Sequence, residues 1–366
     1  TATYATGSVD GVEFAGGLVG QNDGGTVNSS YAIGTVDGTD NVGGVVGSNN
    51  GGTVESVYWD TATTGQTESA GSAAHYGLPT ERMTGLNAAV GLFEFDFETT
   101  WQPATTASGY PVLAGDSEFA GSTDAYAGLV DGDGSAADPF EVSTVYELQL
   151  VTERLGEGDS FELVDDINAS VTAEWYDEGS GPQGFEPLGN TTVGFNGTFD
   201  GGEYTITNLT INRSSDNSIG LFGHLESNGT VRSVTVDAAT VSGNDNVGGL
   251  VGTNEGEVNG SSVAGQVDGS QRVGGLVGRN NETVRQSVAF AGVNGTDQTG
   301  GAVGHNDGTV MMVAATGTVD GADDVGGLVG RNLADGAVRQ SYATGAVVDG
   351  TDVGGLVGDN DGGTVT

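Results

Sequence analysis

The sequence predicts an all-β fold, a parallel β-solenoid built from coils of roughly 26–29 residues. Three observations carry that reading. The pentad GGLVG and its variants begin at Gly16, Gly43, Gly248, Gly274, Gly300, Gly326 and Gly354, with a weaker IGLFG at Ile219. The text between pentads repeats too: VGGLVGRNNETVRQSVAFAGVNGTDQ (273–298) aligns with VGGLVGRNLADGAVRQSYATGAVVDGTD (325–352). Each unit reads as three short β-like runs separated by Gly, Asn and Asp. One unit cannot bury a core alone. Stacked units can, because each strand pairs with its counterpart one coil on. The coils then rise by about 4.8 Å each. Repeated Val, Leu and Ala line the interior, with Leu250, Leu276, Leu328 and Leu356 in one stack. The repeated Gly residues permit tight corners and positive φ.

The elements follow in order. Residues 1–57 are solenoid coils that end one module, and 58–115 form a closing, capping segment. In that segment Thr80–Ala89 reads as a short helix with Thr80 as N-cap. Phe93, Phe95, Phe97 and Trp101 are expected to plug the open end of the solenoid. Residues 116–135 read as a linker. Residues 136–190 read as an opening cap with a helix at 143–155, where Thr144 and Glu147 are placed as a capping box. FELVDDINAS then begins the first strands, Asn190–Asn217 makes a first irregular coil, and 191–366 are the coils of the next module. GGTVT, the last five residues, continues into TATYATGSVDG, the first eleven, as GGTVNSSYAIGTVDG (24–38) does internally. The expectation is one period of a tandem array, with copies of the chain or adjoining repeats joining end to end.

Composition narrows the function classes. Gly is 68 of 366 residues without a G-X-Y period, so collagen is excluded. Cys is absent, which removes disulfides and thiolate metal sites. No apolar run is long enough for a membrane-spanning helix. Fifty acidic residues face nine basic ones, all Arg, for a net charge of −41. Such a surface repels itself in dilute salt, and at molar salt the Debye length falls to about 3 Å. The composition is that of a salt-adapted protein, haloarchaeal in type. It lacks the basic footprint that nucleic acid requires.

Stacking turns repeat positions into columns. Asn254, Asn280, Asn306, Asn332 and Asn360 share one, as do Asn22 and Asn49, and their amides are expected to bond up the stack. Asp268, Asp320 and Asp349 share another, with Asn294 between the first two; Asp297, Asp323 and Asp352 form a neighbouring set. Stacked carboxylates repel unless cations intervene, and calcium suits such all-oxygen turns. The other reading is a solvated face screened by brine. Asp131 and Asp133 begin a calcium-loop-like run, although its twelfth position is Val142; a Gly/Asp turn is the alternative. Arg279, His305 and Arg331 stack, as do Arg285 and Arg339, either to bind an acidic glycan or partner or to pair with nearby acids. Sequons occur at Asn28, Asn168, Asn190, Asn196, Asn208, Asn212, Asn228, Asn259, Asn281 and Asn294. They are glycosylation candidates or by-products of a Gly/Asn/Thr turn vocabulary. No catalytic set or cofactor site is read. His75, His224 and His305 sit in unrelated contexts, and Asp165–Asp166, as adjacent strand residues, would point to opposite faces.

VGGLVGxN followed by G-T-V-x-x-S-Y-A-x-G resembles the GLUG-motif repeat over about two thirds of the chain. The resemblance implies a large secreted or surface-anchored bacterial or archaeal protein, many of which are called adhesins. The expected function is a structural, adhesive extracellular solenoid, a segment of a cell-surface protein or filament with a cell-surface or glycan target. A halophilic virus stalk or tail fibre is one alternative, and a polysaccharide-active β-helix enzyme is the other.

Overall fold

The computed structural model describes residues 2–70, 75–85, 88, 91–92, 94–96, 100–102, 109–113, 131–175 and 181–366. It divides into two compact units, Thr1–Leu129 with Asp177–Gly181 and Val130–Tyr176 with Pro182–Thr366.

The larger unit is a right-through stack of parallel strands in four sheets. One coil shows the order. Val277–Asn280 lies in the fourth sheet, Thr283–Arg285 in the first, Val288–Ala289 and Gly292–Asn294 in the second, and Asp297–Gly300 in the third. A coil therefore holds five short strands rather than three, because the chain breaks direction at corners that sequence reading merged. Register is strict. Val251, Val277, Val303, Val329 and Val357 stand opposite one another in turn, as do Val258, Val284, Val310 and Val338. Leu250, Leu276 and Leu328 are fully buried. Leu356, in the last coil, is half-buried. Ala302 takes the place of Leu between Leu276 and Leu328 in that stack and is also buried.

The corners use left-handed residues that are mostly not glycine. Ser233, Gln286, Met312 and Gln340 have φ of 49–55° at one corner; Asn246, Arg272, Gln298, Asp324 and Asp352 have φ of 47–53° at another. The pentad glycines serve a different need. A Cβ on Gly274 would lie 2.2 Å from the Val277 carbonyl oxygen, and one on Gly326 would lie 1.8 Å from that of Val329. Close backbone approach, rather than positive φ, requires glycine there.

The first sheet begins earlier than the sequence suggests, with Phe140–Val142 beside Ser160–Leu163 and then Thr198–Asp200. Between the first two lies an α-helix, Val145–Leu150, continued by a 3-10 turn, Val151–Arg154. Thr144 and Glu147 form the expected capping box: Thr144 Oγ1 accepts the Glu147 N–H and Glu147 Oε2 accepts the Thr144 N–H. Asp165–Asp166 occupy the turn before Ile167–Asn168, not a strand. Asp166 Oδ1 accepts the Thr205 N–H, which occupies it structurally.

In the smaller unit Thr3–Ala5, Thr26–Ala32, Thr53–Asp60 and His75–Leu78 form a parallel sheet. Val9–Gly16 pairs with Val36–Gly43, and Val19–Asp23 with Val46–Asn50. The solenoid interior holds Val27, Ala32, Val45, Val46, Val54, Val57 and Trp59. A second, separate cluster joins Tyr31 and Tyr58 to Leu78, Met83, Leu92, Phe95 and Trp101. Tyr31 and Ala32 are consecutive strand residues and so face opposite sides of the sheet. The closing segment thus covers the outer face of this sheet instead of plugging an end. Phe95 and Trp101 stack at 4.6 Å within it; Phe93 and Phe97 lie outside the described residues. The expected helix at 80–89 starts as a 3-10 turn, Thr80–Arg82, with Pro79 at its cap position and no side-chain cap; Ala88 is α-helical, and 86–87 and 89 lie outside the described residues. Of the linker read over 116–135, only 131–135 are described.

Candidate functional site

The outer surface of the third and fourth sheets carries most of the chemistry-bearing columns. The fourth sheet presents His224, Thr253, Arg279, His305, Arg331 and Asp359 in succession. The corner of the third sheet presents Asn246, Arg272, Gln298, Asp324 and Asp352. Their side chains meet. Arg272 pairs with Asp245 through Nε at 2.9 Å. Arg279 Nε donates to Asn281 Oδ1 at 3.0 Å. His305 Nδ1 and Gln298 Oε1 are 2.7 Å apart. Arg331 reaches Asp361 at 2.9 Å, Asp359 at 3.3 Å and Asp324 at 3.8 Å.

Burial, reinforced by the charges of Arg279 and Arg272, pushes the His305 imidazole down to about 4. Asp324 is only 8% exposed. Burial and then the Asp359 carboxylate push its acid up to about 6, against the pull of Arg331. Asp323, Asp324 and Asp352 each offer a carboxylate oxygen, all within 4.8 Å of one another. It is the one such group of three among the described residues, and its all-oxygen donors suit a hard cation. Sequence reading placed Asp352 with Asp297 and Asp323. Register instead puts Val353 opposite Val325, so Asp352 follows Asp324, while Asp323 stands opposite Asp297. Asp324 was missed because its neighbour Asp323 fits the repeat better.

The other aspartate column is also displaced. Asp268, Asn294 and Asp320 stack, but Val348 follows Asp320, leaving Asp349 one residue past the register at φ 57°. Asn294 separates the two acids and donates to Asp268 at 3.3 Å. Hydrogen bonds from the Ser135 side chain and then from the Ser135 N–H, the latter at 2.9 Å, hold the Asp133 carboxyl below the usual range. The Asp131 carbonyl accepts the Glu141 N–H at 2.8 Å. Both exposed acids thus flank a turn that closes on itself.

The asparagine ladder is continuous. Asn254, Asn280, Asn306 and Asn332 are fully buried. Each Nδ2 donates to the next Oδ1 at 2.7–2.8 Å, ending on Asn360. Asn22 donates to Asn49 at 2.9 Å in the smaller unit. Arg285 pairs with Glu257 through Nε at 2.7 Å. Arg339 shares its column through Met311, is exposed, and pairs with no carboxylate among the described residues.

Among the sequon asparagines, Asn168, Asn190, Asn208, Asn212, Asn228 and Asn294 are exposed; Asn28, Asn196, Asn259 and Asn281 are half-buried. Asn190 caps Thr192 and Val193, Asn196 bonds Gly156 and Gly158, and Asn212 donates to Pro182. Asn228 sits on an exposed turn and makes no side-chain bond of this kind among the described residues. His224 Nε2 lies 3.8 Å from Glu255, apart from His305. No helix among the described residues is long and apolar enough to cross a membrane.

Residues 321–348 match the family described as the GLUG motif. They run from the third-sheet corner through the fourth, first and second sheets, so one match spans one coil. That coil carries the GLUG motif. Halomucin of Haloquadratum walsbyi is 40% identical over 136 residues, 37% of this chain. A Gly-rich membrane protein of Evansella cellulosilytica is 41% identical over 135 residues, 36% of this chain. The chain spans 2% and 15% of the lengths of these two relatives. A crystal structure from Bacteroides ovatus, described as an immunoglobulin A1 protease, aligns with a TM-score of 0.47 at 18% identity. That alignment covers 64% of this chain and 86% of the other, a likeness that carries no argument.

Proposed function

We propose that these GLUG coils form a structural and adhesive segment of a larger protein that works outside the cell in concentrated salt. The observation that carries this is the pairing of a continuous buried Asn ladder with a surface of net charge −41. The ladder gives a scaffold that keeps its register. The charge suits that scaffold to brine. The similarity to Halomucin, of which the aligned part is a small fraction, supports placement at a cell surface. Contacts would be made by outward columns presented at coil spacing, to neighbouring repeats or a surface glycan. Calcium held by Asp323, Asp324 and Asp352, and glycans on exposed sequons such as Asn228, belong to the same proposal. Asp131, Asp133, Asp268, Asp320 and Asp349 remain candidate cation ligands in it. The role asks nothing of catalysis.

Antibody raised against the chain should label intact source cells, and external protease should remove the label. Label appearing only after lysis would overturn the surface assignment. Purified chain should adhere to those cells in molar salt and should not shorten polysaccharides; turnover of a polysaccharide would favour the enzyme instead.

A further inference from the structure

The two units use one repeat position in two ways. In the smaller unit the S-Y-A strand turns Tyr31 outward, and the closing segment buries it to 1% exposure. Its ring stacks on Tyr4 at 5.3 Å and meets Trp101 at 5.5 Å, and its hydroxyl donates to the Pro111 carbonyl at 2.6 Å. Ile33, two residues on, packs against the same cluster. The larger unit repeats this geometry. Ser341–Tyr342–Ala343 follows a left-handed Gln340 as Ser30–Tyr31–Ala32 follows a left-handed Ser29. Tyr342 stands two coils from Val288 in one column, with Ala314 between. The Phe290 N–H donates to the Val263 carbonyl as the Ile33 N–H does to that of Ala5, which makes Phe290 the counterpart of Ile33.

Here the face is bare. Phe290 is 53% exposed, Met312 42% and Tyr342 58%. Phe290 lies in a coil with neighbours on both sides, so its exposure belongs to the sheet face; Met312 sits at the left-handed corner that leads into that sheet. Arg339, exposed and paired with no carboxylate among the described residues, stands three residues before Tyr342. Residues 78–113 carry Glu81, Glu94, Asp96 and Glu98 against the single Arg82, a sign opposite to that of Arg339.

We propose that the outer face of the second sheet around Phe290 and Tyr342, bordered by the Met312 corner, is a docking surface for an aromatic closing segment of the kind formed by residues 78–113, supplied by another stretch of polypeptide. Recognition needs apolar rings over Phe290 and Tyr342, a main-chain carbonyl for the Tyr342 hydroxyl and acidic residues toward Arg339. The first two are the features by which residues 78–113 cover Tyr31; the third follows from the sign of Arg339. Aromatic anchors of this type dominate binding.

The test titrates a fluorescein-labelled synthetic peptide of residues 78–113 with the intact chain in molar salt and reads anisotropy. The smaller unit already holds its own closing segment. Saturable binding of one peptide per chain is expected. Phe290→Ser should weaken it by about tenfold, and Tyr342→Ser similarly, with far-UV circular dichroism unchanged in both. Val12→Ser, at an exposed apolar residue of the smaller unit, should leave it unaltered. Absence of saturable binding, or binding indifferent to both substitutions, overturns the proposal. So does a dimer of the chain alone that Phe290→Ser dissolves, because the occupant is then a second copy.

Discussion

Asn306 is the middle rung of the buried ladder, and replacing it with alanine isolates what the ladder contributes. Its Oδ1 accepts from Asn280 at 2.8 Å, and its Nδ2 donates to Asn332 Oδ1 at 2.7 Å and to the Gly308 carbonyl at 3.1 Å. The residue is fully buried, so water cannot replace these bonds. Each lost bond costs about 1 kcal/mol, and an acceptor left buried without a donor costs about 1–3 kcal/mol more. Asn306→Ala should therefore destabilise the chain by about 3–5 kcal/mol. Asn360→Ala removes the terminal rung, which is exposed and bonds only Asn332 and the Gly363 carbonyl. Water substitutes there, and the cost should stay under about 1 kcal/mol. Urea unfolding in molar potassium chloride, followed by far-UV circular dichroism, measures both. Equal losses for the two variants would refute the reasoning, because burial would then not be what makes the ladder matter.

Other outcomes follow from the same geometry. Thermal midpoints should fall steeply between molar salt and about 0.1 M, as screening of the −41 charge is withdrawn; a constant midpoint would contradict this. Leu276→Ala opens a cavity in a fully buried column and should cost about 3–5 kcal/mol, against much less for half-buried Leu356→Ala, by the same urea assay. His305 is held near 4 against an ordinary 6.5, so the native state binds fewer protons in that interval and stability from this group falls as pH drops through 6.5. Asp324 is held near 6 against an ordinary 3.8, so its contribution rises as pH drops through 6. Relative to the parent, His305→Gln should therefore shift urea midpoints upward between pH 7 and 5, and Asp324→Asn should shift them downward.

The solenoid was legible because its signal is a period. Gly248, Gly274, Gly300 and Gly326 recur at one spacing, and stacking follows from that spacing. The Asn ladder and the Arg279–His305–Arg331 column followed from the same arithmetic and stand as read. Register failed where the spacing changed. The interval from Gly326 to Gly354 is 28 residues rather than 26, which moved Asp349 and Asp352 off the columns assigned to them. Repeated glycines before the G-T-V run, Gly24, Gly51 and Gly362, do turn with positive φ of 69–82°; the pentad glycines do not, because composition does not separate positive φ from close approach. The corners turned out to be held by residues such as Gln286 and Asp324. The closing segment was recognised, but its aromatics were sent to an open end. Nothing in the sequence says which side of a strand Tyr31 faces until Ala32 is known to line the interior. Asp324 was invisible for a related reason: a buried acid looks like an exposed one when its neighbour Asp323 fits the repeat.

The claim that coils stack in parallel with fixed register has a direct test, made clean by the absence of cysteine. Thr283 and Thr309 are register partners on adjacent strands of the first sheet, and Ala337 lies one strand further. Adjacent partners sit about 4.8 Å apart and next-but-one partners about 9.6 Å apart, while a disulfide needs Cα atoms within roughly 7 Å. On mild oxidation in molar salt, the double variant Thr283→Cys/Thr309→Cys should form an intramolecular disulfide, seen by mass spectrometry of its peptides. Thr283→Cys/Ala337→Cys should remain reduced. Bridging of the second pair but not the first would contradict the stacked-coil account.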